Sequence, residues 1–263
     1  MKRKKKPRGT EAFEAYYRDI YTDRWDRLKA ALLGDGTYIE IGPGLNQPYF
    51  IDEASTIPAA ALGVEPGDAV LDLCAAPGGK TLLLALAAGS GGSLVSNDRS
   101  SARRGRLKRV IEEHLPEDLR NIVTVTGHDA SRWCLYQQDA YDRVLLDAPC
   151  SSERHVLGSP GALEIWSPAR PDHLARQAFS MLASALRVVK PGGIVVYSTC
   201  SLTEAENDGT VGKLLKRYPQ SAELLAVEAP WGERTACGLI ILPDVSGGRG
   251  PIYCAKIRRR DEH

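Results

Sequence analysis

Cys150 and Cys200 each sit in a short, turn-like context, Pro149-Cys150-Ser151 and Thr199-Cys200-Ser201, just beyond an apolar run of strand character. A lone cysteine is usually a small buried hydrophobe, and that reading suffices for Cys134, Cys237 and Cys254. Cys150 and Cys200 differ because Asp147 closes the run Arg143–Leu146 just ahead of Cys150, and Ile194–Ser198 leads into Cys200. A thiol at a strand end faces the crevice where open α/β sheets bind ligands. Its thiolate form is a nucleophile able to open a covalent route, turning one hard step into two easier ones.

The other residues of chemical interest punctuate the same alternation. The first strand candidate ends in Asp72-Leu73-Cys74-Ala75-Ala76-Pro77-Gly78-Gly79-Lys80, the second in Asn97-Asp98; the third leads to Asp129 and the fourth to Asp147. Two glycines between strand and helix let a ligand approach the backbone and the first amides of the helix. The loop is neither a G-x-G-x-x-G fingerprint nor a G-x-x-x-x-G-K-[ST] phosphate loop. One aspartate at a strand end is ordinarily a helix cap; three in succession behind a glycine-rich loop are not. So many carboxylates disfavour a phosphate-bearing dinucleotide and suit a nucleoside that carries positive charge.

Elements to position these residues follow from the hydrophobic pattern. Strands are expected at Ala69–Leu73, Ser93–Ser96, Ile122–Thr126, Arg143–Leu146, Ile194–Ser198, Leu239–Leu242 and Ile252–Ile257. Helices are expected at Lys80–Ala88, Ala102–His114, His173–Val189 and Glu204–Tyr218. This alternation predicts an α/β fold with a doubly wound, mostly parallel, seven-stranded sheet. The turn Ser246–Gly250 permits an antiparallel closing pair. Ahead of the sheet, residues 11–33 carry apolar side chains at helical spacing, Phe13, Tyr16, Tyr17, Ile20, Tyr21, Trp25, Leu28, Leu32 and Leu33 among them. Gly34-Asp35-Gly36 ends that helix, an irregular stretch through Pro48 follows, and Ile57–Leu62 forms a second apolar patch. Residues 1–60 are thus expected to form a basic arm and helical extension, and residues 61–263 the main domain.

The bulk composition narrows the class. The chain's 263 residues allow one large domain with an appendage, and 43% hydrophobic with 25% charged residues is ordinary for a globular protein. None of the six cysteines forms a C-x-x-C pair, so neither a structural metal nor a disulfide framework is expected. The charged start runs into Pro7-Arg8-Gly9-Thr10-Glu11 rather than an apolar segment, and no stretch reaches the length of a membrane span. The expectation is a cytoplasmic protein in a reducing compartment, without membrane contact. Net charge is +1, yet Lys2–Lys6, Arg8 and Arg258–Arg260 crowd the termini and leave an acidic body. Such an arm either contacts a polyanion or merely solubilises the chain. The cluster Arg103, Arg104, Arg106, Lys108 and Arg109 is equally open, a phosphate stripe or one solvated helix face.

Taken together, Asp72–Lys80 (DLCAAPGGK), Asp147–Ser151 (DAPCS) and Ser198–Ser201 (STCS) resemble the Nop/Sun family of RNA cytosine-5 methyltransferases. The likeness extends over roughly residues 60–257, and includes Tyr141-Asp142-Arg143 and Pro191-Gly192-Gly193. Residues 13–33 look like the amino-terminal helix of short organellar members that lack an added RNA-binding domain. The resemblance implies a Rossmann-like class I methyltransferase fold and S-adenosyl-L-methionine as cofactor. It implies that Cys74, Ala75, Ala76, Pro77, Gly78, Gly79 and Lys80 hold the cofactor's amino acid part. Asp98 would bind its ribose beside Arg103, Asp129 would contact its adenine, and Asp147 would touch both cofactor and base. Cys74 either contacts the cofactor or packs beneath the loop. Cys200 would be the nucleophile, and Cys150 would help resolve the adduct. The pattern departs at Ala130, where relatives often carry glycine.

The chemistry explains the residue types. Carbon 5 of cytosine becomes nucleophilic when a thiolate adds to carbon 6. A helix opening near Thr203-Glu204 is expected to help lower the pKa of Cys200. Asp147, protonated or sharing a proton with the base, would hydrogen-bond the ring nitrogen where charge accumulates. The expected partner is RNA, ribosomal first and transfer RNA second, opened so that its base can enter the cleft, with a protein partner aiding recognition. Arg154 and His155 follow the catalytic turn and are candidates for RNA contact. Tyr16, Tyr17 and Trp25 could stack bases, but their spacing favours core packing. DNA cytosine-5 methylation would place the nucleophile at Cys150 and need a large recognition region. Amino-group methylation would want Asp/Asn-Pro-Pro-Tyr after the fourth strand. A non-enzymatic assembly factor would have no need to keep Cys150, Cys200 and Asp147 together.

Overall fold

The structure is a computed structural model that describes residues 8–261; the basic run Lys2–Lys6 lies outside them. The chain opens with helix α1 (Gly9–Tyr21), a 3-10 turn over Thr22–Arg24, and helix α2 (Trp25–Leu33). Phe13, Tyr17, Trp25, Leu28 and Leu32 are buried in one cluster with Val156, Trp166, Leu202 and Leu242. Burying a side chain of that size gains roughly 1.5–3 kcal/mol, so these five hold the helices on the main domain. Tyr17 and Trp25 are therefore core residues rather than base-stacking ones. The single helix expected over residues 11–33 is broken at Thr22. Along a straight helix Trp25 would sit about 12 Å from Tyr17, yet their rings stack at 5.3 Å. The break folds Trp25 back, and its indole donates to Glu14 at 2.8 Å.

Strands β1 (Tyr38–Ile41) and β2 (Tyr49–Asp52) form an antiparallel hairpin, so the stretch expected to be irregular is its turn. Helix α3 (Ile57–Leu62) follows and packs on the main sheet. Strand β3 (Ala69–Asp72), helix α4 (Gly79–Ala88), strand β4 (Ser93–Asn97), helices α5 (Ser101–His114) and α6 (Glu117–Asn121) and strand β5 (Val123–Thr126) come next. After a 3-10 segment over Ala130–Leu135 the chain returns through strand β6 (Tyr141–Asp147), helices α7 (Glu153–Leu157), α8 (Pro160–Ile165) and α9 (Ala169–Val188), and strand β7 (Val189–Thr199). These strands pair in parallel in the order β5-β4-β3-β6-β7. The order reverses between β3 and β6, which puts the ligand crevice at their carboxyl ends.

Helix α10 (Asp208–Arg217) precedes β8 (Ala222–Leu225), β9 (Glu233–Arg234), β10 (Leu239–Ile241) and β11 (Ile252–Arg259). Strand β11 runs antiparallel to β7, and β10 and β8 pair along its other edge. The closing pair expected from the glycine-rich turn is thus β10 and β11. The sheet has nine strands among the described residues rather than seven, with β8 and β9 added. Ala222-Glu223-Leu224-Leu225 is built of good helix formers, so only pairing with β11 makes it a strand.

Alternation along the strands sorts the core into two layers. Leu71, Val144, Leu146, Val195 and Tyr197 face α9 and α10, whereas Val70, Leu145, Ile194 and Val196 face α3, α4 and α5. Among the described residues no helix is long and apolar enough to cross a membrane, and no cluster of His, Cys, Asp or Glu is arranged to hold a metal ion.

Candidate active site

Strands β6 and β7 lie side by side with Asp147 in register with Ser198. The turns that leave them therefore converge, and Cys150 and Cys200 meet with their Sγ atoms 2.8 Å apart, both as free thiols. The backbone amide of Cys200 donates to Cys150 Sγ at 3.3 Å, and Ser152 Oγ lies 3.3 Å from Cys200 Sγ. The two thiols are not equivalent. The hydrogen bond from Cys150, with help from Ser152 and Lys80, holds Cys200 below its ordinary pKa against the opposing effects of burial and Asp147. The same bond, and burial, push Cys150 far up. Of the two, Cys200 is the thiol more readily deprotonated and Cys150 the one that keeps its proton.

Lys80, at the start of α4, reaches across to Asp147 with Nζ 2.8 Å from Oδ2, while Ser198 Oγ donates to Oδ1 at 2.8 Å. Burial works to neutralise Lys80, but Asp147 and Asp72 outweigh it and the net displacement is upward. A fixed acceptor and a fixed cation thus stand beside the thiols. All four groups line one cavity of about 660 Å3, together with Tyr38, Asp52, Arg154 and His155.

Behind the thiols is a buried network that the motifs did not announce. Glu206 accepts from the Ser151 amide at 2.9 Å, from Ser201 Oγ at 2.8 Å and from Thr203 Oγ1 at 3.0 Å, and also from Ser151 Oγ. It ties the residue after one cysteine to the residue after the other. Glu153 accepts from Tyr17 OH at 2.5 Å and from the Leu202 amide at 3.3 Å. Burial, and then the charge of Glu206, raise Glu153 from 4.5 to about 8. Because Glu206 turns inward, residues 204–207 form a turn and α10 starts only at Asp208. The helix opening expected near Thr203-Glu204 is therefore absent, and the polarisation of Cys200 comes from Cys150, Ser152 and Lys80 instead.

A second cavity, of about 760 Å3, shares Arg103 and Pro149 with the first and is lined by Cys74, Asn97, Asp98, His128 and Asp129. Asp98 Oδ1 accepts from the Ser100 amide at 2.9 Å. Its Oδ2 is buried without a hydrogen bond, 3.3 Å from the Arg103 guanidinium. An ion-paired carboxylate oxygen still has lone pairs to offer, and a ligand diol would meet them. Asp129 accepts from Ser131 N and Oγ at 3.0 and 2.7 Å, which keeps its carboxyl below the usual range. Ala75, Ala76, Pro77 and Gly79 line a small recess between the cavities with Cys74, Lys80 and Asp147. Gly78 has φ +125, a value that L side chains rarely adopt, and any Cβ on Gly79 would stand 2.8 Å from Tyr49. This donor set fits a nucleoside that bears a positive amino acid tail, and no phosphate. Of the basic cluster, Arg104 donates inward to Asp98 O and Arg99 O, while Arg106, Lys108 and Arg109 stay exposed.

Residues 59–258 match the family model described as 16S rRNA methyltransferase RsmB/F. The chain belongs to the RsmB/F family. It is similar to mouse 5-cytosine rRNA methyltransferase NSUN4, 38% identical over 234 residues that cover 82% of this chain and 61% of the relative. It is also similar to the mitochondrial tRNA (cytosine(34)-C(5))-methyltransferase of Danio rerio, 36% identical over 82% of this chain and 61% of that protein. The chain spans about three fifths of the length of these curated relatives. A methyltransferase homolog protein from Pyrococcus horikoshii shares the fold, with a TM-score of 0.73 over 96% of this chain and 95% of that one at 22% identity.

Every site residue singled out in this RsmB/F sequence lies in or beside one crevice. Cys150, Cys200, Asp147 and Lys80 gather in the first cavity, Cys74, Asp98 and Asp129 in the second, and Arg103 borders both. Cys134, Cys237 and Cys254 line neither. Glu153, Glu206 and Ser152 escaped notice because acidic and hydroxyl residues beside a turn ordinarily read as solvated. Only the burial of Glu153 and Glu206, and the approach of Ser152 Oγ to Cys200 Sγ, distinguish them.

Proposed function

We propose that this RsmB/F protein transfers a methyl group from S-adenosyl-L-methionine to carbon 5 of a cytosine in RNA, with ribosomal RNA as its substrate and Cys200 as its nucleophile. The observation that carries the proposal is the polarised thiol pair beside the Lys80–Asp147 ion pair. S-adenosyl-L-methionine, when bound, supplies an electrophilic methyl group on a sulfonium. The open Asp98 oxygen is suited to its ribose, Asp129 to its adenine, and the Cys74–Lys80 loop with the first turn of α4 to its amino acid part.

The chain's own residues account for the rest. The Cys200 thiolate adds to carbon 6, which breaks the 5,6 double bond and moves its electron pair toward carbon 5 and the ring nitrogen. Because Asp147 is ion-paired with Lys80, it accepts from the exocyclic amine instead of donating to the ring nitrogen as the sequence suggested, and the ammonium of Lys80 donates to that nitrogen. This acceptor–donor order matches cytosine and opposes uracil, whose edge presents the reverse. Carbon 5 then takes the methyl group. With Cys200 bound to carbon, the negative charge that kept the Cys150 proton in place is gone. Cys150 can then release that proton to the solvent in the open cavity and, as a thiolate, take the one on carbon 5. The double bond reforms and the Cys200 thiolate leaves. Because a disulfide between the two sulfurs would consume the nucleophile, the enzyme requires a reducing compartment.

Bisulfite sequencing of total RNA from cells with the gene, without it, and with Cys200→Ala tests the proposal. One ribosomal cytosine should lose its methyl group in both altered cells. Loss only in transfer RNA would move the substrate to the class named for the Danio rerio relative, and no loss anywhere would refute the activity.

A further inference from the structure

Outside the residues matched by the family model, the β1–β2 hairpin carries two large aromatic side chains that the fold leaves uncovered. Tyr38 is 63% exposed and Phe50 64%. Their exposure is not looseness. Tyr38 pairs with Asp52 and Phe50 with Glu40, so both rings stand on the outer face of one rigid ribbon, as diagonal neighbours about 7–8 Å apart. The inner face is fixed: Ile41 and Ile51 are buried, and the Tyr49 ring meets His114 edge-on at 5.1 Å. Asn46 N and His114 Nδ1 pin the turn to the end of α5, and Thr37 Oγ1 donates to Gly247 O at 2.6 Å.

This face continues into the site, because Tyr38 and Asp52 line the cavity that contains both thiols. A base brought to Cys200 has left its stack, and so have its neighbours in the strand, which lose a partner at the cavity mouth. Unpaired bases recover that loss on aromatic side chains, without regard to sequence. The charge pattern orients the strand. Glu40 and Asp52 share the hairpin face with the rings and repel phosphate. Arg154, on the same cavity wall as the catalytic turn, is the cation that faces the hairpin side, with the His155 ring beside it as a hydrogen-bonding group. Arg154 is held in place by donating to Gly34 O and Gly248 O at 3.2 and 3.1 Å. Bases turned to the hairpin with phosphates turned to Arg154 and His155 satisfy both.

We infer that the outer face of the β1–β2 hairpin is a stacking platform for the unpaired nucleotides that adjoin the target cytosine, with Tyr38 and Phe50 as its two seats. The inference rests on the proposed RNA methylation and adds a surface to it. The probe is a short unpaired RNA with one central cytosine and 2-aminopurine beside it, bound to the full chain in the presence of S-adenosylhomocysteine. Wild-type protein should quench the 2-aminopurine. The Tyr38→Leu/Phe50→Leu double variant should lift the quench and weaken binding roughly five- to a hundredfold. The salt dependence should stay unchanged, because no phosphate contact is lost. Tyr38→Phe should behave as wild type, and unaltered S-adenosylhomocysteine affinity of the double variant certifies its fold. Wild-type affinity and quench in the double variant would overturn the platform and give the face to a protein partner. Wild-type protein that transfers no methyl group to RNA at all would refute the underlying activity instead.

Discussion

Replacing Glu153 by glutamine should change stability with opposite sign at pH 4 and at pH 9. Glu153 is fully buried and faces a second buried carboxylate, Glu206. Burial, the larger cause, and that neighbour raise its pKa from 4.5 to about 8. Across that window the folded protein keeps a proton that the unfolded chain has released, so wild-type stability falls as pH rises from 4.5 to 8. At 1.36 kcal/mol per pH unit the total is roughly 4–5 kcal/mol, an upper figure for a buried pair. Glutamine mimics the protonated acid. Near pH 4, below that fall, it should cost no more than about 1 kcal/mol, for an amide that must find new partners. Near pH 9 the variant should be the more stable protein by a few kcal/mol, out of a total that is only about 5–15 kcal/mol. Urea unfolding of both proteins at the two pH values measures this directly. The raised Asp72, about 7, contributes equally to both and cancels. An equal loss at both pH values would mean that Glu153 is ionised in the folded protein, with Tyr17, Ser201 and Leu202 compensating its charge, and the reasoning would fail.

Three further outcomes follow from the same geometry. Gly79→Ala drives a methyl group against Tyr49 and Ile51, at 2.8 and 3.0 Å, and should lower Tm through an overpacking cost of about 1–3 kcal/mol; an unchanged Tm would show that the hairpin yields. Asp98→Ala removes the open acceptor of the second cavity and should weaken calorimetric binding of S-adenosylhomocysteine by about 10- to 100-fold, for a charged hydrogen bond of roughly 1.5–3 kcal/mol. Wild-type affinity would take Asp98 out of the cofactor site. Lys80→Met withdraws a cation that favours the Cys200 thiolate, so the acid limb of the kcat/KM profile should move to higher pH; a limb that stays or falls contradicts the assigned polarity.

Much of this was legible in the sequence, and the boundary between legible and hidden is physical. The run Asp72–Lys80 and the turns around Cys150 and Cys200 are local features of strand ends, and in a doubly wound sheet a strand end determines which crevice a residue faces. The convergence of the two thiols followed from that alone. Glu206 did not, because its role exists only when β6 and β7 bring Ser151 and Ser201 within reach of one carboxylate. The break at Thr22 was hidden for a similar reason: helical periodicity persists through Tyr21-Thr22-Asp23-Arg24, and only packing of Trp25 on Tyr17 ends it. Strand β8 was missed because its residues favour helix and pairing decides otherwise. The hairpin was missed because a seven-residue glycine- and proline-containing turn separates two four-residue strands, each too short to show alternation.

The central claim is that Cys200 forms the bond to RNA and Cys150 lets it go. Labelled RNA incubated with S-adenosyl-L-methionine and Cys150→Ala should give a protein–RNA complex that survives denaturing electrophoresis, with the nucleotide mapped by mass spectrometry to Cys200. The Cys150→Ala/Cys200→Ala double variant should give none. A complex that persists in the double variant, or a nucleotide attached elsewhere, would contradict the account.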